Sequence, residues 1–150
     1  RGKREVMAAT LVIRECTEGD IDAVLALWGS SAAPHSFYNS AEGIALRLTR
    51  DRELFVLAVD GDQIVGSLMG GWDGWRGILY RMAVVPEYRR HGIATRLLEE
   101  VEARLAALGC QRVHASVIPE SPGAAAFWTA AGYETQSQIV EHAKNIGAAS

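Results

Sequence analysis

The chain predicts a single α/β (α+β) domain with seven strands and four helices in the order β-α-α-β-β-β-α-β-α-β-β. Three observations carry that expectation. Apolar residues recur at Ile93, Leu97, Leu98, Val101, Leu105 and Leu108, with Arg96, Glu99, Glu100, Glu102 and Arg104 between them, which is the period of an amphipathic helix. Leu54 to Val59 and Ile78 to Val85 are apolar runs of strand length, bounded by Asp-Gly turns and by Pro86, which has no N–H for a sheet ladder. The 150 residues are 49% hydrophobic and contain no repeat or low-complexity linker, so they suffice for one continuous core.

Each element follows in turn. Leu11 to Glu15 alternates as a first strand, and Thr17-Glu18-Gly19-Asp20 resembles a capping box opening a helix to about Trp28. Ser30 to Ser40, with Pro34 and Asn39, reads as a loop, and a second helix covers about Ala41 to Arg50. Leu54 to Val59 turns at Asp60-Gly61-Asp62 into the returning strand Gln63 to Gly71, and Asp73-Gly74 marks the next turn. The strand Ile78 to Val85 leads into the long helix, which Gly109 stops. Val113 to Ile118 is a strand, Ser121-Pro122 opens a short helix to Ala131, and Gly132 ends it. Tyr133 to Glu134 and Ile139 to His142 are expected to form a last hairpin. Met7 reads as a natural start, which would make residues 1–6 a non-native or disordered extension of a single domain over 7–150.

Bulk properties narrow the partners. A net charge of −3 and a pI near 5.8 give no reason to expect nucleic acid or an anionic membrane surface as a partner. No apolar run approaches a membrane span, so the cytoplasm is the default expectation. Cys16 and Cys110 lie far apart without a C-x-x-C partner and read as small reduced core residues. His91 has no second ligand at suitable spacing, and no metal is expected.

The segment Val84-Val85-Pro86-Glu87-Tyr88-Arg89-Arg90-His91-Gly92-Ile93-Ala94-Thr95 joins the strand to the long helix. A helix start leaves N–H groups without partners and carries a partial positive charge, which stabilises an anion. Gly92 and Ala94 leave room for phosphate oxygens beside the main chain, while Arg89, Arg90 and His91 add charge and donors. The alternative is a charged surface turn before an amphipathic helix. The spacing Arg89-x-x-Gly92-x-Ala94 resembles the R/Q-x-x-G-x-G/A signature of the GNAT superfamily of acyl-CoA N-acyltransferases. Ala124 to Tyr133 is similar to that family's A-x-x-F-Y-x-x-x-G-F/Y helix, and Leu68 to Gly77 resembles the M-G-G-x-D-G-x-R-G hairpin of its YpeA-type bacterial branch.

The resemblance implies the GNAT fold, a mixed, mostly antiparallel sheet whose fourth and fifth strands splay apart to admit the pantetheine arm. It implies acetyl-CoA, or coenzyme A, as cosubstrate and direct acetyl transfer to a primary amine, whether a small amine, an amino acid or a protein lysine or N-terminus. It assigns Met82, Ala83 and Val84 to carbonyl polarisation through main-chain N–H groups, and Arg89 to Thr95, including Ile93, to the pyrophosphate. Ser121 stands where relatives often bond the pantetheine arm, although it also suits a helix cap. Phe127 covers the cofactor or packs in the core. Exposed last strands leave a homodimer open.

Two departures from the family pattern bear on catalysis. The position that often holds a proton-donating tyrosine is Trp128, whose indole is too weak an acid for that role. Either Trp128 packs on the pantetheine arm, or water or another side chain protonates the thiolate, or transfer is lost and the chain is a catalytically weak acyl-CoA-binding or sensor module. Some relatives carry a glutamate where this chain has Ile78. Tyr80, Glu120, Asp73 and His114 are the remaining candidate bases, each with a structural alternative. The acceptor pocket would draw on Trp28, His35, Phe37, Tyr38, Trp72 and Trp75, with Asp73, Glu42 and Glu120 attracting a cationic amine. The alternative is that these aromatics fill the core or a dimer surface.

Overall fold

The computed structural model describes residues 10–29, 36–118 and 123–147. The expectations for residues 1–6, His35, Glu120 and Ser121 therefore lie outside the described residues. The chain divides into two compact units, Arg1–Ser116 and Val117–Ser150.

The first unit holds a five-stranded mixed sheet in the order β1 (Leu11–Glu15), β2 (Phe55–Asp60), β3 (Gln63–Trp72), β4 (Gly77–Val84) and β5 (Val113–Ala115). The first four strands pair antiparallel, and β5 joins β4 in parallel. Helix α1 (Ile21–Trp28) and α2 (Ala41–Arg47) separate β1 from β2, and α3 (Ile93–Ala107) carries the chain from β4 to β5.

Alternation along the strands distributes side chains to two faces. Phe55, Leu57, Val59 and Met69 pack with Val24, Trp28, Ile44 and Leu48, so α1 and α2 seal one face. The opposite face lies under α3, whose buried stripe is Ile93, Leu97, Leu98, Val101 and Leu105. Two glycines of β3 let that helix approach. A Cβ on Gly70 would come within 2.7 Å of Val101 Cγ1, and one on Gly66 within 3.2 Å of Leu97 Cδ1.

The expected cap of α1 forms as a knot. Asp20 Oδ2 accepts from the Thr17 N–H at 2.8 Å, and Arg14 grips both Asp20 carboxylate oxygens at 2.7 and 2.9 Å. These donors, led by the Arg14 guanidinium, hold the carboxyl down at about 2.

Three expectations need correction. Helix α2 ends at Arg47 rather than near Arg50, because the chain tightens there into i to i+3 turns, with Thr49 N–H on Leu46 O at 3.0 Å and Arg50 N–H on Arg47 O at 3.2 Å, before the left-handed Asp51. Strand β5 ends at Ala115 rather than Ile118. Ser116 N–H still reaches the Leu79 carbonyl at 2.9 Å, but Val117 and Ile118 are exposed. The last hairpin does not form, so the sheet has five strands among the described residues where seven were expected. Ile139 and Val140 stand 73% and 72% exposed, and two short strands without a buried apolar face are not stable in water.

The second unit contains α4 (Ala124–Ala130), which opens at Gly123 and closes before the left-handed Gly132. Within it the Trp128 ring meets Phe127 and Tyr133 edge-on, at centroid separations of 5.2 and 4.9 Å.

Candidate active site

The connection from β4 to α3 has the geometry of an anion cradle. Pro86 ends the strand and starts a single 3-10 turn, closed by Tyr88 N–H on Val85 O and Arg89 N–H on Pro86 O. Tyr88 is buried, and its hydroxyl donates to Asp60 Oδ2 at 2.7 Å, which pins the loop to the end of β2. Arg89 Nε donates to Val84 O at 3.1 Å. Arg90 and Gly92 then take positive φ, at 65° and 79°, and turn the chain into the helix. The first N–H to close back is that of Arg96, on Gly92 O at 3.0 Å. The N–H groups of residues 91–95 find no main-chain carbonyl among the described residues. A Cβ built on Gly92 would have no atom within 4 Å, so space stands open over these donors. His91 Nδ1 is out of solvent contact and lacks a partner among the described residues. Unpaired N–H groups, open space and exposed Arg89 and Arg90 fit a pyrophosphate.

Beside the cradle, β4 is irregular in two ways. Its pairing with β5 spans only Gly77 to Leu79, so no strand among the described residues pairs with that edge from Tyr80 onward. Opposite β3 the register slips between Ser67 and Met69, leaving Arg81 and Met82 across from Leu68 in a bulge. Arg81 sits there at φ 63°, a conformation that costs a non-glycine residue about 1–2 kcal/mol. Buried side chains hold it in place. The Trp28 indole N–H donates to Ser67 Oγ at 2.9 Å, and the Ser67 hydroxyl donates to the Arg81 carbonyl at 2.8 Å. The Arg81 guanidinium lies 4.3 Å from the Trp28 ring centroid and donates to Asn39 Oδ1 at 2.7 Å. Burial lowers its pKa. Beyond the bulge, Val85 N–H bonds Val65 O at 2.9 Å. By alternation, the Val84 N–H points away from β3, toward the edge that β5 has left.

This arrangement agrees with what kinship shows. The acetyltransferase (GNAT) family profile matches residues 21–133. The chain belongs to the GNAT acetyltransferase family. An acetyltransferase of Pectobacterium atrosepticum is 34% identical over 123 residues, spanning 82% of this chain and 87% of that protein. One from Sodalis glossinidius is 31% identical over 134 residues, spanning 89% and 94%. Among solved structures, the PaiA N-acetyltransferase of Thermoplasma acidophilum in complex with coenzyme A superposes with a TM-score of 0.75 at 16% identity, covering 85% of this chain and 91% of that one. The aminoglycoside N-acetyltransferase AAC(6')-Iy with a bisubstrate analogue gives 0.70 at 18%, covering 91% and 99%. At such identities the superpositions speak for the fold.

The structure brings some of the sequence candidates together and separates others. Met82, Ala83 and Val84 adjoin the bulge, directly before the loop that holds Arg89 to Thr95. Tyr80 precedes the bulge, with its hydroxyl above Gly71, where a Cβ would lie 3.5 Å from it. Asp73 serves the β3–β4 turn. Its Oδ1 accepts from the Trp75 and Arg76 N–H groups at 2.8 and 2.7 Å, and these bonds lower its pKa, which makes it a poor base. His114 pairs opposite Ile78 in the sheet, its Nδ1 buried and without a partner among the described residues. Trp28 belongs to the core, stacked on Phe55 at 6.2 Å, whereas Trp75 is 85% exposed. Phe37 and Tyr38 meet edge-on in the turn before α2, and Glu42 is exposed. Phe127 and Trp128 lie in the second unit. Sequence reasoning missed Ser67 and Arg81. A lone charged residue inside the apolar run Ile78 to Val85 was the available signal for Arg81, and nothing marked Ser67.

No helix among the described residues is long and apolar enough to cross a membrane.

Proposed function

We propose that this chain transfers an acetyl group from acetyl-CoA directly to a primary amine. The observation that carries the proposal is the open cradle of N–H groups at the start of α3, placed directly after a strand whose pairing with β5 ends at Leu79. Bound acetyl-CoA would supply an activated thioester. The N–H groups of residues 91–95, with Arg89, Arg90 and His91, hold its pyrophosphate, and Gly92 leaves the approach clear. Beyond Leu79, where β5 leaves it, β4 offers extended backbone to the pantetheine amides, in the manner of an added strand.

The chemistry needs a polarised carbonyl, a neutral amine and a proton for the departing thiolate. The bulge is suited to the first task. Of the stretch Met82 to Val84, the Met82 peptide is held by a buried network and the Val84 N–H points away from β3, so these donors cost little reorganisation when charge develops on the carbonyl oxygen. For the second task Tyr80 is the candidate closest to the bulge, acting directly or through water, with Glu120 as the other candidate. The indole of Trp128 donates hydrogen bonds without giving up its proton, so we assign it packing and leave the thiolate to water. Ser121, Phe127 and Trp128 are assigned to the cofactor on the family resemblance alone. The hairpin motif at Leu68 to Gly77 supports the YpeA-type branch.

The test is free thiol release from acetyl-CoA against a panel of primary amines. Amine-dependent release with a matching acetylated product supports transfer. Tight coenzyme A binding without turnover on any amine would point instead to a binding or sensor module.

A further inference from the structure

The β3–β4 turn and the end of α2 enclose a cleft of about 270 Å³ on the sheet face shared with Trp28 and Arg81. Arg47, Arg50 and Arg76 stand around it, and Trp72, Ile78 and Tyr80 supply its apolar wall. Two carboxylates, Asp51 and Asp73, also border it, so the charge balance favours the guanidinium groups by one.

Asp73 accepts two main-chain N–H groups in the turn, at 2.8 and 2.7 Å, and its carboxylate, still charged, attracts Arg76. Arg47 donates to the carbonyls of Arg50, Asp51 and Gly70. Neutral acceptors satisfy its donors without cancelling its charge. Arg50 and Arg76 are exposed, and neither guanidinium donates a hydrogen bond among the described residues. The cleft therefore presents a small net positive charge, and two guanidinium groups that donate no hydrogen bond among the described residues, above an aromatic wall. That chemistry suits a carboxylate.

We infer that the acceptor is a zwitterion, a primary amine carrying a carboxylate that these arginines hold, with the amine directed along β4 toward the bulge. The inference rests on the transferase reading above. Spacing along the strand sets the acceptor's length. Ile78 and Tyr80 line the cleft, and the bulge donors begin at Met82, two to four residues further on. At about 3.3 Å per residue the amine and carboxylate must stand roughly 7–13 Å apart. An α-amino acid is too short to span this when its α-amine reacts. A short peptide acetylated at its N-terminus, or an ω-amino acid, has the required reach. The cationic-amine pocket expected from Asp73 is thus replaced by a site that recognises the far, anionic end of the acceptor.

The experiment compares 6-aminohexanoate and triglycine with their carboxamides, and with glycine, in the thiol-release assay. The carboxylates are expected to exceed the carboxamides at least tenfold in kcat/KM, with the difference in KM, and glycine is expected to be the poorest. In the double variant Arg50→Glu, Arg76→Glu the carboxylate-to-amide ratio should fall to about one while coenzyme A affinity stays within twofold. Equal rates for carboxylates and amides, or an unchanged ratio in the double variant, would overturn the inference. The two carboxylates also separate peptide from ω-amino acid specificity. Calorimetric titration of the same compounds into the coenzyme A-loaded protein supplies an independent readout. If no amine is acetylated the transferase reading fails, and the carboxylate site still stands or falls on whether 6-aminohexanoate and triglycine bind more tightly than their amides.

Discussion

The loop before α3 and the sheet face under α1 and α2 flank the same strand, yet they are held differently. The loop is closed mostly by neighbours: Tyr88 N–H on Val85 O, Arg89 N–H on Pro86 O, and Arg89 Nε on Val84 O. A tie to a distant segment runs from Tyr88 to Asp60. The opposite pattern holds on the sheet face. Trp28 and Ser67 are 39 residues apart, Arg81 and Asn39 are 42 apart, and Arg47 and Gly70 are 23 apart. A cradle built from local backbone can lose its ligand without losing the fold. A face built from distant side chains couples its geometry to stability, because each partner removed leaves another buried group unsatisfied.

Four measurements can break or sharpen that contrast. The largest effect is expected from Gly92→Glu. Its Cβ meets no atom, so the folded state bears only the left-handed penalty of about 1–2 kcal/mol. A carboxylate set into an anion site should nevertheless weaken coenzyme A binding by at least about 100-fold, which calorimetry reads directly. A comparable fall in thermal stability would show that the loop is not locally held.

Ser67→Ala should behave in the reverse manner. It strands the Trp28 N–H and the Arg81 carbonyl, with an expected loss of about 1–3 kcal/mol in denaturant unfolding. Released from that bond, the bulge should lose about tenfold in kcat while coenzyme A affinity changes little. Equal kcat in the variant would remove the bulge from the proposed chemistry.

Asp20→Asn probes the anchor of α1, the helix that carries Trp28. Asp20 is held at about 2, below its unfolded value, so its contribution is present above the unfolded pKa and lost as pH falls through about 2. Denaturation at several pH values should therefore show wild type more stable than the variant by about 1–2 kcal/mol at neutral pH, narrowing below about pH 4. A difference that persists undiminished at pH 2 would refute the assignment.

The smallest effect belongs to Tyr88→Phe, which removes the bond to Asp60. The cost should be about 0.5–1.5 kcal/mol in stability, with coenzyme A affinity weakened less than about threefold. A larger loss of affinity would mean that the cradle depends on its distant tie after all.

Much of this division was legible in the residues. Pro86, Gly92 and the stripe from Ile93 to Leu105 specified strand end, cradle and helix, since each acts through φ restriction or i to i+4 spacing that neighbours alone determine. The turns at Gly61 and Gly74 and the stop at Gly109 are left-handed as their chemistry requires. Tertiary structure alone decided the remainder. Ile139 and Val140 have strand character, but without an apolar face to pack on they stay exposed. Asp73 looked available for chemistry until two main-chain donors took it. Arg81 adopts a conformation that its residue type disfavours, because Ser67, Trp28 and Asn39 hold its two ends. The arginine-lined cleft likewise depends on bringing the end of α2 beside the β3–β4 turn. Local pattern determines which backbone shapes are accessible, whereas the location of bulges and pockets follows from packing between segments that do not know one another in the sequence.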